Sequence, residues 1–346
     1  VAGEAIEERE KEQLLSAGEA AGKGKEDGML YLEYIVLAAL VVFLSVRLSY
    51  YVDCLDKKTN LSGAFIGGVM LAAVTSLPEL FTSLTAVLAL DQPDLVQGNV
   101  LGSNIFNLCV IGGLMLFTSR RYQRATLSKS HSKTLWFGLV MYALVFAAIM
   151  MPKEVGFSFL KVNLMSILIL LVYAVNVKFM GNDDSGDVEE EVYISLSVRQ
   201  IAVRFICYSV GLVIVSILLT TVTDRLAEEL QLGATVAGAI FLGVATSLPE
   251  LSASVNLVRI GNFNASFGNI VGSNLFNFII LCFADVLFTQ GSIYVNEPQV
   301  MNLLGFGAFS MVCTLVVIYG KKHRALVLLA SVAILGSYVT SILLSM

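Results

Sequence analysis

This sequence contains one unit twice, and each copy carries an odd number of apolar segments. GGVMLAAVTSLPELFTSL (67–84) returns as GAIFLGVATSLPELSASV (238–255), and GNVLGSNIFN (98–107) returns as GNIVGSNLFN (268–277). Glu79 and Glu250 lie 171 residues apart and Gly98 and Gly268 170 apart, so the internal spacing is kept along with the letters. Ten apolar stretches can be counted, at about 30–50, 63–90, 95–118, 134–151, 157–179, 201–222, 233–258, 264–288, 300–319 and 325–345. Each approaches the roughly 20 residues that a membrane-crossing helix needs. Five per copy is odd, so the second copy must enter the membrane from the opposite face. The expected fold is an all-α membrane protein of ten transmembrane helices, built as two inverted five-helix repeats. That architecture belongs mostly to secondary transporters, with a site near the midplane where the copies meet.

Composition excludes the ordinary alternative of two soluble domains. Of the 346 residues 56% are apolar and only 14% charged, against about 45–50% and 25% in soluble proteins. A net charge of −5 gives no basic surface for nucleic acid. The five cysteines show no C-x-x-C spacing, so no zinc site, disulfide framework or resident cofactor is expected. Residues 1–28 read as a polar, acid-rich tail, mobile or weakly helical, with no cleavable leader and Met29 as the natural start. Residues 29–180 form the first repeat, 181–198 an acidic linker and 199–346 the second repeat.

Orientation follows from Lys and Arg. Arg47, Lys57, Lys58, Arg120, Arg121, Arg124, Lys129, Lys133, Lys178, Arg199, Arg204, Arg259, Lys321, Lys322 and Arg324 fall on one side of the ten-span plan. Lys153, Lys161 and Arg225 fall on the other, with the tail. The richer side is expected to be cytoplasmic and both termini extracytoplasmic.

The repeated TSLPE motif carries the chemistry. Glu79 and Glu250 lie about the middle of apolar spans that hold no Lys, Arg or His. An ionised carboxylate there costs roughly 2.5–3.5 kcal/mol, so each acid must be protonated or must hold a cation. A neutral, hydrogen-bonded staple would explain one such Glu better than two in identical contexts. Thr75 and Ser76 precede Glu79, and Thr246 and Ser247 precede Glu250, at spacings that put hydroxyls on the same helix face; Ser83 and Ser254 extend it. Pro78 and Pro249 cannot donate to the carbonyls of Val74 and Ala245, so interrupted helices with exposed main-chain oxygens are expected. Asn99 and Asn269 are expected to cap helices beside the site. Ser103 shares a face with Asn107, and Ser273 with Asn277, which adds neutral oxygens. Gly102, Gly272, Asn104 and Asn274 read as interhelical packing and hydrogen bonding.

These motifs resemble the alpha repeats of the sodium/calcium exchanger superfamily of cation/Ca²⁺ antiporters, along residues 29–346. The resemblance implies exchange of Ca²⁺ for Na⁺, with H⁺ or K⁺ as alternative counter-ions; a passive cation channel is the lesser alternative. It implies Glu79 and Glu250 as the central Ca²⁺ ligands, with Thr75, Ser76, Thr246, Ser247, Ser103, Asn107, Ser273 and Asn277 lining the ion sites. Main-chain oxygens one turn upstream, at Ala72 and Gly243, would join them. Two positions depart from the pattern: Asn277 stands where many relatives carry Asp, and Val74 and Ala245 stand where Gly is usual. Neither GNVL nor GNIV carries the acid typical of proton-coupled members, which favours Na⁺ over H⁺.

Other features carry less. The run from Asn182 to Glu191 lacks the spacing of an EF-hand loop and reads as a solvated linker. The basic run Arg120–Lys133 can meet lipid head groups but is already explained as a topology signal. His131 and His323 are expected in loops, and no Ser–Lys pair accompanies the repeats, so hydrolysis is not expected. Oligomeric state leaves no trace in the sequence.

Overall fold

The computed structural model describes residues 2–59, 61–89, 93–151, 162–181, 196–229 and 243–345, which are helical almost throughout. The helices are α1 (Ala2–Lys58), α2 (Gly63–Thr75), α3 (Leu77–Leu88), α4 (Pro93–Arg124), α5 (Ser130–Met150), α6 (Leu164–Gly181), α7 (Val198–Glu229), α8 (Leu248–Ile260), α9 (Phe263–Leu287), α10 (Pro298–Tyr319) and α11 (Arg324–Ser345). Among the described residues eight helices are long and apolar enough to cross a membrane, and α2 with α3, bent by 41°, adds a ninth when taken as one span. The first part of the expected 233–258 stretch, the start of the 157–179 stretch and the acid-rich run after Gly181 lie outside the described residues.

The first helix runs unbroken from Ala2 to Lys58, because the Ala, Glu, Lys and Leu of its early turns are strong helix formers that outweigh the glycines among them.

Two apolar bodies organise the rest. The larger surrounds α9, whose spanning window is 78% buried. Leu101, Leu108 and Met115 of α4, Leu135 of α5, Phe267 and Phe278 of α9 and Met311 of α10 meet there. The smaller joins Val41, Leu48 and Val52 of α1 to Ile201, Leu212 and Leu219 of α7, over Ile66 and Leu71 of α2 and Leu257 of α8. The windows of α1 and α7 are only 17% and 33% buried. Their outer faces show Leu32, Ile35, Leu40 and Phe43, and Val203, Ile206, Val210 and Leu218. Apolar surface on that scale belongs against lipid.

The first broken helix crosses α9 at backbone distance. A β-carbon on Gly272 would stand 2.1 Å from the Gly68 carbonyl oxygen, and one on Gly67 2.3 Å from that of Ala265. Only glycine allows this approach. Over Ile66–Leu71 the crossing segment winds as a π-helical turn, a widening often found beside functional sites.

Basic helix ends gather at one end of the molecule. Arg121 donates to Arg259 O at 3.2 Å, Gln123 to Lys321 O and Lys322 O, and Lys58 to Leu196 O. Lys321 donates to Ala125 O, and burial pushes its ammonium below the usual lysine range. His131 departs from expectation here. It lies in the first turn of α5, is 1% exposed and sits 3.3 Å from Asn264 Oδ1. The helix starts four residues earlier than hydropathy alone suggests, because Ser128 and Ser130 hydrogen-bond each other at its entrance. His323 stays in the turn before α11, exposed.

Candidate ion-binding site

Each broken helix halts at a serine. Ser76 (φ −90°, ψ 5°) and Ser247 (φ −90°, ψ 8°) share one backbone conformation immediately before Leu-Pro-Glu. Their N–H groups still reach back a turn, to Ala72 O and Gly243 O, both at 3.1 Å. The prolines bring no N–H, and the ladder resumes from Leu80 N to Ser76 O at 3.2 Å and from Leu251 N to Ser247 O at 3.1 Å. Sequence copies have become geometric copies.

The break redirects the serine hydroxyls. Spacing on an unbroken helix would keep Ser76 on the face of Glu79, but the kinked turn carries it across to the other copy. Ser76 Oγ donates to Glu250 Oε1 at 3.1 Å, and Ser247 Oγ donates to Glu79 Oε1 at 3.0 Å. Support from within each copy is longer: Ser103 Oγ to Glu79 Oε1 and Ser273 Oγ to Glu250 Oε1, both 3.5 Å. Glu79 is fully buried and Glu250 1% exposed. Neither joins a salt bridge among the described residues. The second oxygen of each carboxylate, Oε2, has no hydrogen-bond partner among them.

The threonines and the upstream carbonyls lie at the same two breaks, and the asparagines are buried in the same helices. Thr75 Oγ1 donates to Ala72 O at 3.3 Å and reaches Asn269 Oδ1 at 3.3 Å and Ser273 Oγ at 3.4 Å. Thr246 Oγ1 donates to Gly243 O at 3.2 Å. Ala72 and Gly243 therefore present their carbonyls at the break, one turn before Ser76 and Ser247. Asn107 and Asn277 are fully buried, and here the two copies differ. Asn277 Nδ2 donates to Asn104 Oδ1 at 3.0 Å. Asn277 Oδ1 and both polar atoms of Asn107 find no partner among the described residues.

Asn99 and Asn269 are corrected from caps to clamps. They lie inside α4 and α9, whose starts are several residues earlier. Asn99 Nδ2 donates to Glu79 O at 3.1 Å and Ser83 Oγ at 2.9 Å. Asn269 Nδ2 donates to Glu250 O at 3.4 Å and Ser254 Oγ at 2.9 Å. Each clamp fixes the backbone of a glutamate from a neighbouring helix. Asn104 was read from sequence as packing, and its carbonyl does accept from Asn274 at 3.0 Å; its contact with Asn277 was not foreseen.

Every donor on this shell is oxygen, the set that suits a hard cation rather than a soft one. Among the described residues no three of His, Cys, Asp and Glu are placed to hold a metal ion together; Glu79 and Glu250 are the carboxylates at the two breaks. The family model described as sodium/calcium exchanger protein matches residues 30–181 and 201–346. The chain belongs to the sodium/calcium exchanger family. It is thus an integral membrane protein of a family of cation/Ca²⁺ antiporters, which are transporters and not enzymes. Among its relatives is the inner membrane protein YrbG of Escherichia coli (strain K12), 27% identical over 295 residues that make up 81% of this chain and 87% of YrbG. The sodium/calcium exchanger MaX1 of Methanosarcina acetivorans is 30% identical over 117 residues, 33% of each chain. The solved structure of the sodium-calcium exchanger NCX_Mj shares the fold, with a TM-score of 0.68 at 20% identity, covering 91% of this chain and 98% of that one.

Proposed function

We propose that this protein exchanges Ca²⁺ for Na⁺ across a membrane by alternating access. In this reading ten spans form two inverted five-helix repeats, both termini lie outside the cytoplasm, and Glu79 and Glu250 hold the Ca²⁺ between them. One observation carries it: each buried glutamate accepts a hydrogen bond from the serine of the other copy, while its second oxygen has no donor among the described residues. A carboxylate buried in that way is costly until a cation completes it.

Charge explains why exchange and not leak results. One Ca²⁺ neutralises both glutamates, and so do two Na⁺. A third Na⁺ would rest on neutral oxygens such as those of Asn107 and Asn277. Ions that need the same oxygens must take turns, and a site whose charge is cancelled can move where a bare pair of carboxylates cannot. Thr75, Ser76, Thr246, Ser247, Ser103 and Ser273, with the carbonyls of Ala72 and Gly243, supply the neutral oxygens that replace hydration.

Transport into inverted membrane vesicles tests the reading. Uptake of Ca²⁺ should follow an imposed Na⁺ gradient and persist when a protonophore collapses the pH gradient. Uptake that ignores Na⁺ and requires a pH gradient would make the protein a Ca²⁺/H⁺ antiporter instead.

A further inference from the structure

Away from the two glutamates, one amide joins three elements at the basic end. Asn262 Oδ1 caps α9 by accepting from Ala265 N at 2.9 Å. Its Nδ2 donates to Asp53 Oδ1 at 3.0 Å and to Asp56 Oδ2 at 2.8 Å, both on α1. The other oxygen of Asp53 takes Lys57 at 2.8 Å. Asp56 lies hard against Gly63, the first residue of α2, where a β-carbon would stand 2.5 Å from Asp56 Oδ2. Farther along α1, Asn256 Nδ2 of α8 donates to Ser49 Oγ at 2.9 Å.

Between these polar ties, Val41, Leu48 and Val52 of α1 meet their neighbours through apolar surface. Such contacts slide; charge-assisted hydrogen bonds with fixed geometry do not. Asn262 thus ties the least buried spanning helix to the most buried one, beside the start of the helix that leads to Ser76 and Glu79. At the same end Asn264 Oδ1, two residues on, accepts from Ser128 N at 2.8 Å, which fixes α9 to the α4–α5 connection and not to α1. The start of α9 therefore holds the α4–α5 connection with one asparagine and α1 with the other.

We propose that Asn262 is a positioning residue, a latch that holds α1 against α9 and α2 in one access state and releases it in the other. The proposal rests on the alternating-access reading above. Release frees two carboxylates at the end of the helix, beside Lys57, where water can solvate them. The break is therefore reversible, which burial of an unpaired charge inside the membrane would not be.

Cys54, 2% exposed and adjacent to Asp53, is a native reporter. With Cys109, Cys207, Cys282 and Cys313 changed to Ala, labelling of Cys54 by a maleimide in the purified chain reads the latch. Asn262→Asp keeps the cap, since Asp caps as well as Asn, but removes both donors and sets a third carboxylate beside Asp53 and Asp56. Labelling should rise about ten-fold. Adding Asp53→Asn and Asp56→Asn moves the amides onto α1 and should restore the slow rate. Gly63→Ala, which pushes Asp56 aside without touching Asn262, should raise labelling as well. Parental labelling in both Asn262→Asp and Gly63→Ala would overturn the latch, as would a triple variant that labels as fast as Asn262→Asp. Labelling needs no transported ion, so a parent protein without Na⁺-driven Ca²⁺ uptake would defeat the exchanger reading by a separate measurement.

Discussion

Ser247 of the second copy donates its hydroxyl to Glu79 of the first at 3.0 Å. The reverse bond, Ser76 to Glu250, measures 3.1 Å. The two halves of the site are thus interleaved: each acid is supplied by its own helix and held by the other copy's. Ser76→Ala and Ser247→Ala should then weaken Ca²⁺ binding alike. A hydrogen bond to a charged group is worth about 1.5–3 kcal/mol, so a loss of one to two decades in Kd is expected, read by calorimetric titration. Strongly unequal losses would mean that the two serines do not hold equivalent positions around the ion.

The clamps should matter through the backbone. Asn99→Asp keeps the shape of the side chain but removes the Nδ2 that donates to Glu79 O and Ser83 Oγ. A buried acceptor left without its donor costs about 1–3 kcal/mol. The melting temperature in detergent should fall and Ca²⁺ transport with it, and Asn269→Asp should behave in the same way in the other copy.

Close approach of α2 and α9 predicts a sharp contrast between glycines. Gly272→Ala places a β-carbon 2.1 Å from the Gly68 carbonyl oxygen, whereas Gly336 of α11 has nothing within 4 Å. Gly272→Ala should abolish or severely reduce folded yield on size-exclusion chromatography. Gly336→Ala should leave yield unchanged or slightly raised, since Ala favours a helix over Gly by about 1 kcal/mol.

Asn277 is the position where the copies part. Its amide donates to Asn104 Oδ1, and its own Oδ1 has no partner among the described residues. Asn277→Asp adds a third buried carboxylate to the helices of the site and should change ion preference, read as competition of Na⁺ and K⁺ against Ca²⁺ uptake. Unchanged preference would mark the residue as a structural contact of Asn104.

Much of this was legible in the letters, for a physical reason. Burying a carboxylate in an apolar span is so unfavourable that Glu79 and Glu250 stand out as candidates from sequence alone, and the long apolar stretches foretell the helices that bury them. The bend was legible too, because proline lacks a donor. What could not be read was the consequence of the bend. Helical spacing keeps Ser76 beside Glu79, but a ψ near zero at Ser76 swings it to the opposite acid, and that angle is set by tertiary packing. Asn99 and Asn269 were mistaken for caps because a Gly-Asn pair signals a helix start locally, while the true cap of α9 is Asn262, seven residues earlier. His131 was misplaced for the same reason: its environment is made by Asn264, which is far away in sequence.

Calorimetric titration of the purified protein with Ca²⁺, set beside Glu79→Gln and Glu250→Gln, tests the shared site most directly. The account predicts one Ca²⁺ per chain in the parent and no measurable Ca²⁺ heat in either variant, with both variants still folded. Parental affinity in either variant would contradict it.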